Sequence, residues 1–143
     1  MATTTHRTGT RTGTLALLSR LSKLAMRATP EEEMGMSIRH YMTLHHLPEP
    51  LPQQRLAEDL CIDANNTVIL LNELEQKGWV VRERDPADRR RHVVAMTDAG
   101  RRAYEHAQLS RDVVKDEVLG PLDASERQTL HDLLAKALGE SES

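Results

Sequence analysis

The sequence predicts a mainly α chain with one small β-hairpin: a helix-turn-helix carrying a β-ribbon, flanked at both ends by helices suited to dimerisation. Three observations predict it. Between Gln53 and Thr97 the hydrophobic rhythm changes from a short helical run to a longer one and then to two β-prone runs around a charged turn. The helices on either side carry more apolar surface than so small a module can cover. Finally, the chain has no Phe and only 2% aromatic residues, so its core must be built from Leu, Val, Ala and Met.

Residues 1–13 are rich in Thr, Gly, Arg and His without an apolar period, the composition of a disordered segment. From about Thr14 a helix is expected, because Leu15, Leu18, Ser22 and Ala25, together with Leu17, Leu21 and Leu24, form a broad apolar band. Thr29-Pro30-Glu31 ends it. A second helix is expected over Met36 to Leu47, with Ile38, Tyr41, Met42 and His45 at helical spacing, stopped by Pro48, Pro50 and Pro52.

The helix-turn-helix follows. Leu56, Ala57 and Leu60 share one face of a short helix while Gln53, Gln54, Glu58 and Asp59 stay polar. After the break at Cys61-Ile62-Asp63, the Asp63 carboxylate can cap a helix from about Ala64 to Lys77, and Gly78 can take the positive φ that closes it. At about 100° per residue Thr67, Leu70, Leu71 and Leu74 fall together as core. Asn65, Ile69, Asn72 and Gln76 fall opposite, with Asn66 beside them. A helix entering a major groove meets base edges with its first turn, where Asn pairs with adenine and an apolar side chain packs on a thymine methyl. Asn65, Asn66 and Ile69 suit those tasks. Ordinary capping accounts for two Asn at a helix start equally well.

Trp79 to Val81 and His92 to Met96 are the β-prone runs. Between them five arginines fall within the ten residues Arg82 to Arg91, and Pro86 with its neighbouring Asp residues supplies the turn. Three consecutive arginines at a hairpin tip form a cation patch suited to phosphates or a minor groove. A solvated charged turn is the plainer alternative, but beside a helix-turn-helix the patch favours nucleic acid.

The stretch LAEDL…NELEQKGWVVRERDPADRRRHVVAMTDAG resembles the winged-helix transcription factors of the MarR (multiple antibiotic resistance regulator) type, with helix, recognition helix, wing and following Thr and Gly in the same order. The resemblance implies that Asp88 holds Arg90 by a charge-assisted bond while Arg90 reaches into the minor groove, with Arg89 and Arg91 nearby. It also implies a homodimer in which the first and last helices intertwine, two winged modules on a pseudo-palindromic operator in double-stranded DNA, and a small phenolic or aromatic effector that changes their spacing. Gln54 and the N-terminal amides of its helix are assigned to phosphate. Relatives often carry Val at the position of Thr67 and Arg or Lys at that of Ile69, so an operator sequence does not carry over.

After Thr97, a suitable N-cap, a helix is expected from Asp98 to about Leu119. It has a stripe of small residues at Ala99, Ala103, Ala107, Val114 and Val118. Gly120-Pro121 ends it. Asp123 with Glu126 has the pattern of a capping box opening a last helix, whose apolar face is Leu130, Leu133, Leu134, Ala137 and Leu138.

The 143 residues, without a Pro/Gly-rich linker, are expected to form one domain: helices over 14–47, the winged module over 53–97 and dimerisation helices over 98–138. Net charge is −3, unpromising for DNA until it is divided. Lys77 to Arg102 holds eight Lys/Arg against four Asp/Glu, whereas Ala103 to Ser143 holds four against nine. Fields act locally, so a basic wing and an acidic far end would orient the molecule on DNA. No run approaches a membrane span, no signal-like segment opens the chain, and a single cysteine suits a reducing compartment, so a cytoplasmic location is expected.

Paired carboxylates with evident burial, a nucleophile motif and a phosphate loop are all lacking, so neither catalysis nor a cofactor is expected. His40, His45, His46 and His106 show no His-x-x-x-His pair on one face, which disfavours zinc. Cys61 occupies a turn position where many such motifs have Gly; a structural thiol is the simpler reading and an oxidation sensor the alternative. A winged-helix module for protein partners, and a metal- or redox-responsive regulator of the same fold, are the remaining alternatives.

Overall fold

The computed structural model describes residues 13–140, so the expectation of disorder over 1–13 falls, except for Gly13, outside the described residues. The elements are α1 (Thr14–Arg27), α2 (Glu31–Met34), α3 (Ile38–His45), β1 (Leu51–Pro52), α4 (Gln53–Leu60), α5 (Ala64–Gln76), β2 (Val80–Arg84), β3 (His92–Met96), α6 (Asp98–Val118) and α7 (Ala124–Leu138). Thr29–Asp112 makes one compact unit. The described parts of Met1–Ala28 and Val113–Ser143 make the other, the division falling inside α6.

The core of the first unit is aliphatic and sulfur-rich. Met34, Met36, Ile38, Tyr41, Leu44, Leu47, Leu56, Leu70, Leu71, Leu74, Val80, Val94 and Ala107 pack into one buried cluster, and the four α5 residues at helical spacing, Thr67, Leu70, Leu71 and Leu74, are all buried. Two expectations need correction. The helix expected over Met36 to Leu47 is shorter, because Gly35 takes φ 80° to end α2 and Ser37 caps α3 by accepting from His40 N at 3.1 Å. The ribbon also has a third strand: β1 pairs with β3 on the edge away from β2, giving the antiparallel order β1-β3-β2. Two residues from a proline-rich stretch carry too little alternation to announce a strand; Pro52 fits because an edge strand does not need every N–H.

Both helix-turn-helix segments end in the same way. Trp79 N–H donates to Leu74 O at 3.0 Å and Gly78 N–H to Glu75 O at 2.9 Å, a Schellman closure with Gly78 at φ 76°. In α4, Ile62 N–H donates to Ala57 O at 3.1 Å and Cys61 N–H to Glu58 O at 3.1 Å, with Cys61 at φ 57°. Cys61 is the one non-glycine among the described residues with positive φ, which accounts for the usual fitness of Gly there.

Thr97 joins the ribbon to α6. Its hydroxyl donates to Gly78 O at 2.6 Å and accepts from Gly100 N–H at 2.9 Å, while its own N–H donates to Trp79 O at 2.9 Å. On α6, Tyr104 stacks on Tyr41 of α3 with centroids 5.1 Å apart and meets His45 Nδ1 at 2.8 Å through its hydroxyl. Burial, then the Tyr41 hydroxyl, pushes the Tyr104 phenol up to about 12. A folded value above the ordinary one near 10 favours the neutral form, so the stability it contributes is complete below pH ~10 and disappears as pH rises towards 12. Thermal melts across that range should show this alkaline loss, and Tyr104→Phe should flatten it.

The second unit has a different surface. The Asp123/Glu126 capping box opens α7 with both bonds made, at 2.8 Å and 3.0 Å. Yet no residue of α1 or α7 is buried in the chain. Leu15, Leu17, Leu24 and Met26 of α1, and Leu133 and Leu138 of α7, stand exposed by about half or more.

Candidate nucleic-acid interface

The first turn of α5 is built around Asp63. Its Oδ1 accepts from Asn66 N–H at 2.7 Å and its Oδ2 from Asn66 Nδ2 at 3.0 Å, while Thr67 Oγ1 donates to Asp63 O at 2.7 Å. Thr67 is thereby satisfied on the buried side. Asn65, Asn66 and Ile69 are exposed, Ile69 by 48%. The two amides are not equivalent, because Asn66 shares its Nδ2 with the cap whereas Asn65 has no side-chain partner among the described residues.

Gln54 is exposed in the first turn of α4, and Pro52 before that helix supplies no side-chain cap. The backbone N–H groups there are left to solvent or to an anion. Gln54, Cys61 and Ala64 border one shallow groove between α4 and α5. Cys61 is exposed in its turn and free.

Two Asx turns shape the wing tip between β2 and β3. Asp85 Oδ1 accepts from Ala87 N–H at 2.9 Å, and Asp88 Oδ1 accepts from Arg90 N–H at 3.1 Å. Asp85 N–H closes the loop onto Arg91 O at 2.9 Å, and Arg84 Nη1 donates to Arg89 O at 2.6 Å. The Asp88 carboxylate also receives Arg90 Nε at 3.2 Å and Nη2 at 3.4 Å. Those bonds, the side-chain one foremost, hold the Asp88 carboxyl below its ordinary value. The Arg90 side chain remains 91% exposed. A guanidinium that is both oriented and solvent-facing has given up part of its freedom without being covered. Arg89 and Arg91 are exposed beside it.

Sequence reasoning missed the bonds that hold α5 in place. His40, almost buried on α3, meets Glu73 Oε1 at 2.9 Å, and this bond is the first cause of a lowered Glu73 carboxyl. Asn72, which helical period groups with the reading face, accepts from Arg82 of β2 at 2.6 Å, and Glu75 accepts from the same nitrogen at 2.7 Å. A legible signal existed. Asn72 and Glu75 are three apart, hence neighbours on one side of α5, and the chain reverses at Gly78 to run back beside them.

Among the described residues no group of three or more His, Cys, Asp or Glu could hold a metal ion, and no helix is long and apolar enough to cross a membrane.

The MarR family model matches residues 40–92, which contain α4, α5 and the ribbon's charged turn. The uncharacterized HTH-type transcriptional regulator YdgJ of Bacillus subtilis is 34% identical over 95 residues, covering 66% of this chain and 58% of its own length. The chain thus spans little more than half the length of the curated relatives it matches. Among solved structures, a mutant MarR of E. coli complexed with operator DNA is 26% identical with a TM-score of 0.73, over 86% of this chain and 91% of that one. CouR of Rhodococcus jostii RHA1, bound to p-coumaroyl-CoA, is 27% identical with a TM-score of 0.73, over 89% and 92%. Helix, turn, second helix and braced wing occur here in the order that the family match covers, and over these residues the chain is similar to the winged helix-turn-helix regulators of the MarR type.

Proposed function

We propose that the chain is a dimeric, sequence-specific DNA-binding transcription regulator of the cytoplasm, a repressor released from its operator by a small phenolic or aromatic effector. It works by binding alone, without catalysis or cofactor. The observation that carries the reading is the wing: Arg90 is braced by Asp88 and yet almost fully exposed, on the ribbon that follows a helix with an open polar first turn. In this reading Asn65, Asn66 and Ile69 meet base edges, Gln54 and the uncapped start of α4 hold a phosphate, and Arg90 enters the minor groove with Arg89 and Arg91 along the backbone. The operator DNA bound by the E. coli protein supports it, and the p-coumaroyl-CoA bound by CouR supports an effector.

The bare apolar faces of α1 and α7 support a second copy as their cover, since surfaces of that kind mark association sites. Two modules related by a two-fold axis suit an operator with half-sites about one helical turn apart. A small change in their spacing would break simultaneous engagement, so modest ligand energy suffices for release.

Fluorescence-polarisation binding to duplex tiles from the gene's own upstream DNA, at several salt concentrations with nonspecific competitor, tests the reading. Saturable binding to one tile by two chains, with log K falling steeply against log salt, is expected. The exposed Val68 and Ile69 on α5 favour one other reading, a module for protein partners, which a flat salt response would select. Within the DNA reading, Asn65→Ala should relax preference at one base position by about 1–3 kcal/mol while leaving the melting temperature unchanged. Asn66→Ala should lower both, because its amide also serves the Asp63 cap; a base-selection assay alongside a melt separates the two.

A further inference from the structure

Arg82 turns from the ribbon back towards α5 and the core. Side chains alternate along a strand, and Arg82 shares its face with Val80, which is 2% exposed, and stands opposite Val94, which is fully buried. An arginine there must run its stem along the core and satisfy its head nearby. Arg82 does so on α5: one nitrogen reaches both Asn72 Oδ1 and Glu75 Oε1, and only 20% of the side chain stays exposed. Glu75 neutralises the charge, so Arg82 brings little field to a phosphate. Asn72 is occupied and is not available to read a base unless this contact opens.

The consequence concerns the two elements to which DNA reading is assigned. The ribbon leaves α5 at Gly78, and its base is fixed there by Trp79 N–H on Leu74 O and by Val80 in the core. The Asn72–Arg82–Glu75 contact extends that attachment two residues beyond Val80, towards the wing tip. We propose that Arg82 is a positioning residue that clasps the wing to the recognition helix, so that the Asn65 face and Arg90 meet the operator as one rigid head. This rests on the DNA reading above. A loose wing would have to be ordered at each binding event, and the cost would appear as lost affinity.

The test compares wild type, Arg82→Glu, Arg82→Met and the exchanged pair Glu75→Arg with Arg82→Glu, whose net charge equals that of wild type. Arg82→Met keeps the apolar stem over Val94, so it separates the clasp from core packing. Each is titrated with operator at several salt concentrations. Separately, spin labels at Gln76→Cys and Ala87→Cys in a Cys61→Gly background report the distribution of helix-to-wing distances without DNA.

The clasp predicts a tenfold or greater loss of affinity and a broadened distance distribution in both single Arg82 variants. In the exchanged pair both should recover, with the wild-type salt slope. A salt slope reduced by about one in Arg82→Met, with no recovery in the exchanged pair, would make Arg82 a phosphate contact and overturn the proposal. So would an Arg82→Met distribution as narrow as wild type. Should wild type bind no operator while the label distances still broaden and recover, the DNA reading fails and the clasp stands.

Discussion

Gly100→Ala is expected to destabilise the protein by about 3 kcal/mol, lowering its melting temperature by roughly 10 °C. Gly100 is buried in the first turn of α6, where the helix meets the backbone leaving α5. A methyl there would fall on the Trp79 carbonyl oxygen, far inside van der Waals contact, and would also lie 2.9 Å from Trp79 C and 3.0 Å from Met96 Cγ. The struck atoms are mainly backbone, and the same carbonyl already accepts from Thr97 N–H. Relief therefore requires α6 to move away from the start of β2. Gly78→Ala is the matched control. A methyl at Gly78 meets open space, so its cost is the strain of φ 76° alone, about 1–2 kcal/mol. Thermal melts that ranked Gly78→Ala as the more damaging would contradict the packing described at Gly100.

Arg90→Ala is expected to weaken operator binding by about tenfold to a hundredfold, at 1.4 kcal/mol for each factor of ten, and to reduce the slope of log K against log salt by about one. The fold should be indifferent, because the Arg90 side chain covers nothing. Asp88→Asn should give a smaller loss, since the guanidinium remains but loses its charged brace. The pH dependence has a definite sign. The Asp88 carboxyl is held below its ordinary value by Arg90, so the brace is complete above the usual carboxylate range and is lost only as pH falls through the depressed value. Wild-type affinity should therefore not vary through this group between neutral pH and about pH 5. Polarisation titrations in which Arg90→Ala matched wild type in both affinity and salt slope would remove Arg90 from the interface.

Legibility differed from one element to the next for identifiable reasons. The α5 core face could be read because Thr67, Leu70, Leu71 and Leu74 repeat at one helical period, and all four are buried. The α7 cap could be read because Asp123 and Glu126 carry a local pattern whose two bonds lie within one turn. The start of α3 was misjudged because Met36 is apolar and buried like a helical residue, although the left-handed Gly35 and the Ser37 cap exclude it from the helix. The β1 strand was missed because two residues have no period at all.

The candidate site divides along the same line. That Asp88 and Arg90 stand two apart in an Asp-Pro-x-Asp-Arg-Arg turn is written in the chain, and an Asx turn brings them together without help from any other element. The amides of α5 and the arginines of the wing are likewise identifiable from residue type and spacing. Which polar residue on α5 is left free is a different matter. Asn65 and Asn72 belong to one helical face, but β2 returns beside the second and not the first, so Arg82 takes Asn72. The sequence alone determined the longer periodic elements, the Asp63 and Asp123 caps and the chemistry at the wing tip, because those depend on neighbours a few residues away. Only the tertiary structure decided the partners of Asn72, Glu73 and Glu75 and the backbone pressed against Gly100, because each depends on where a separate element lies against it.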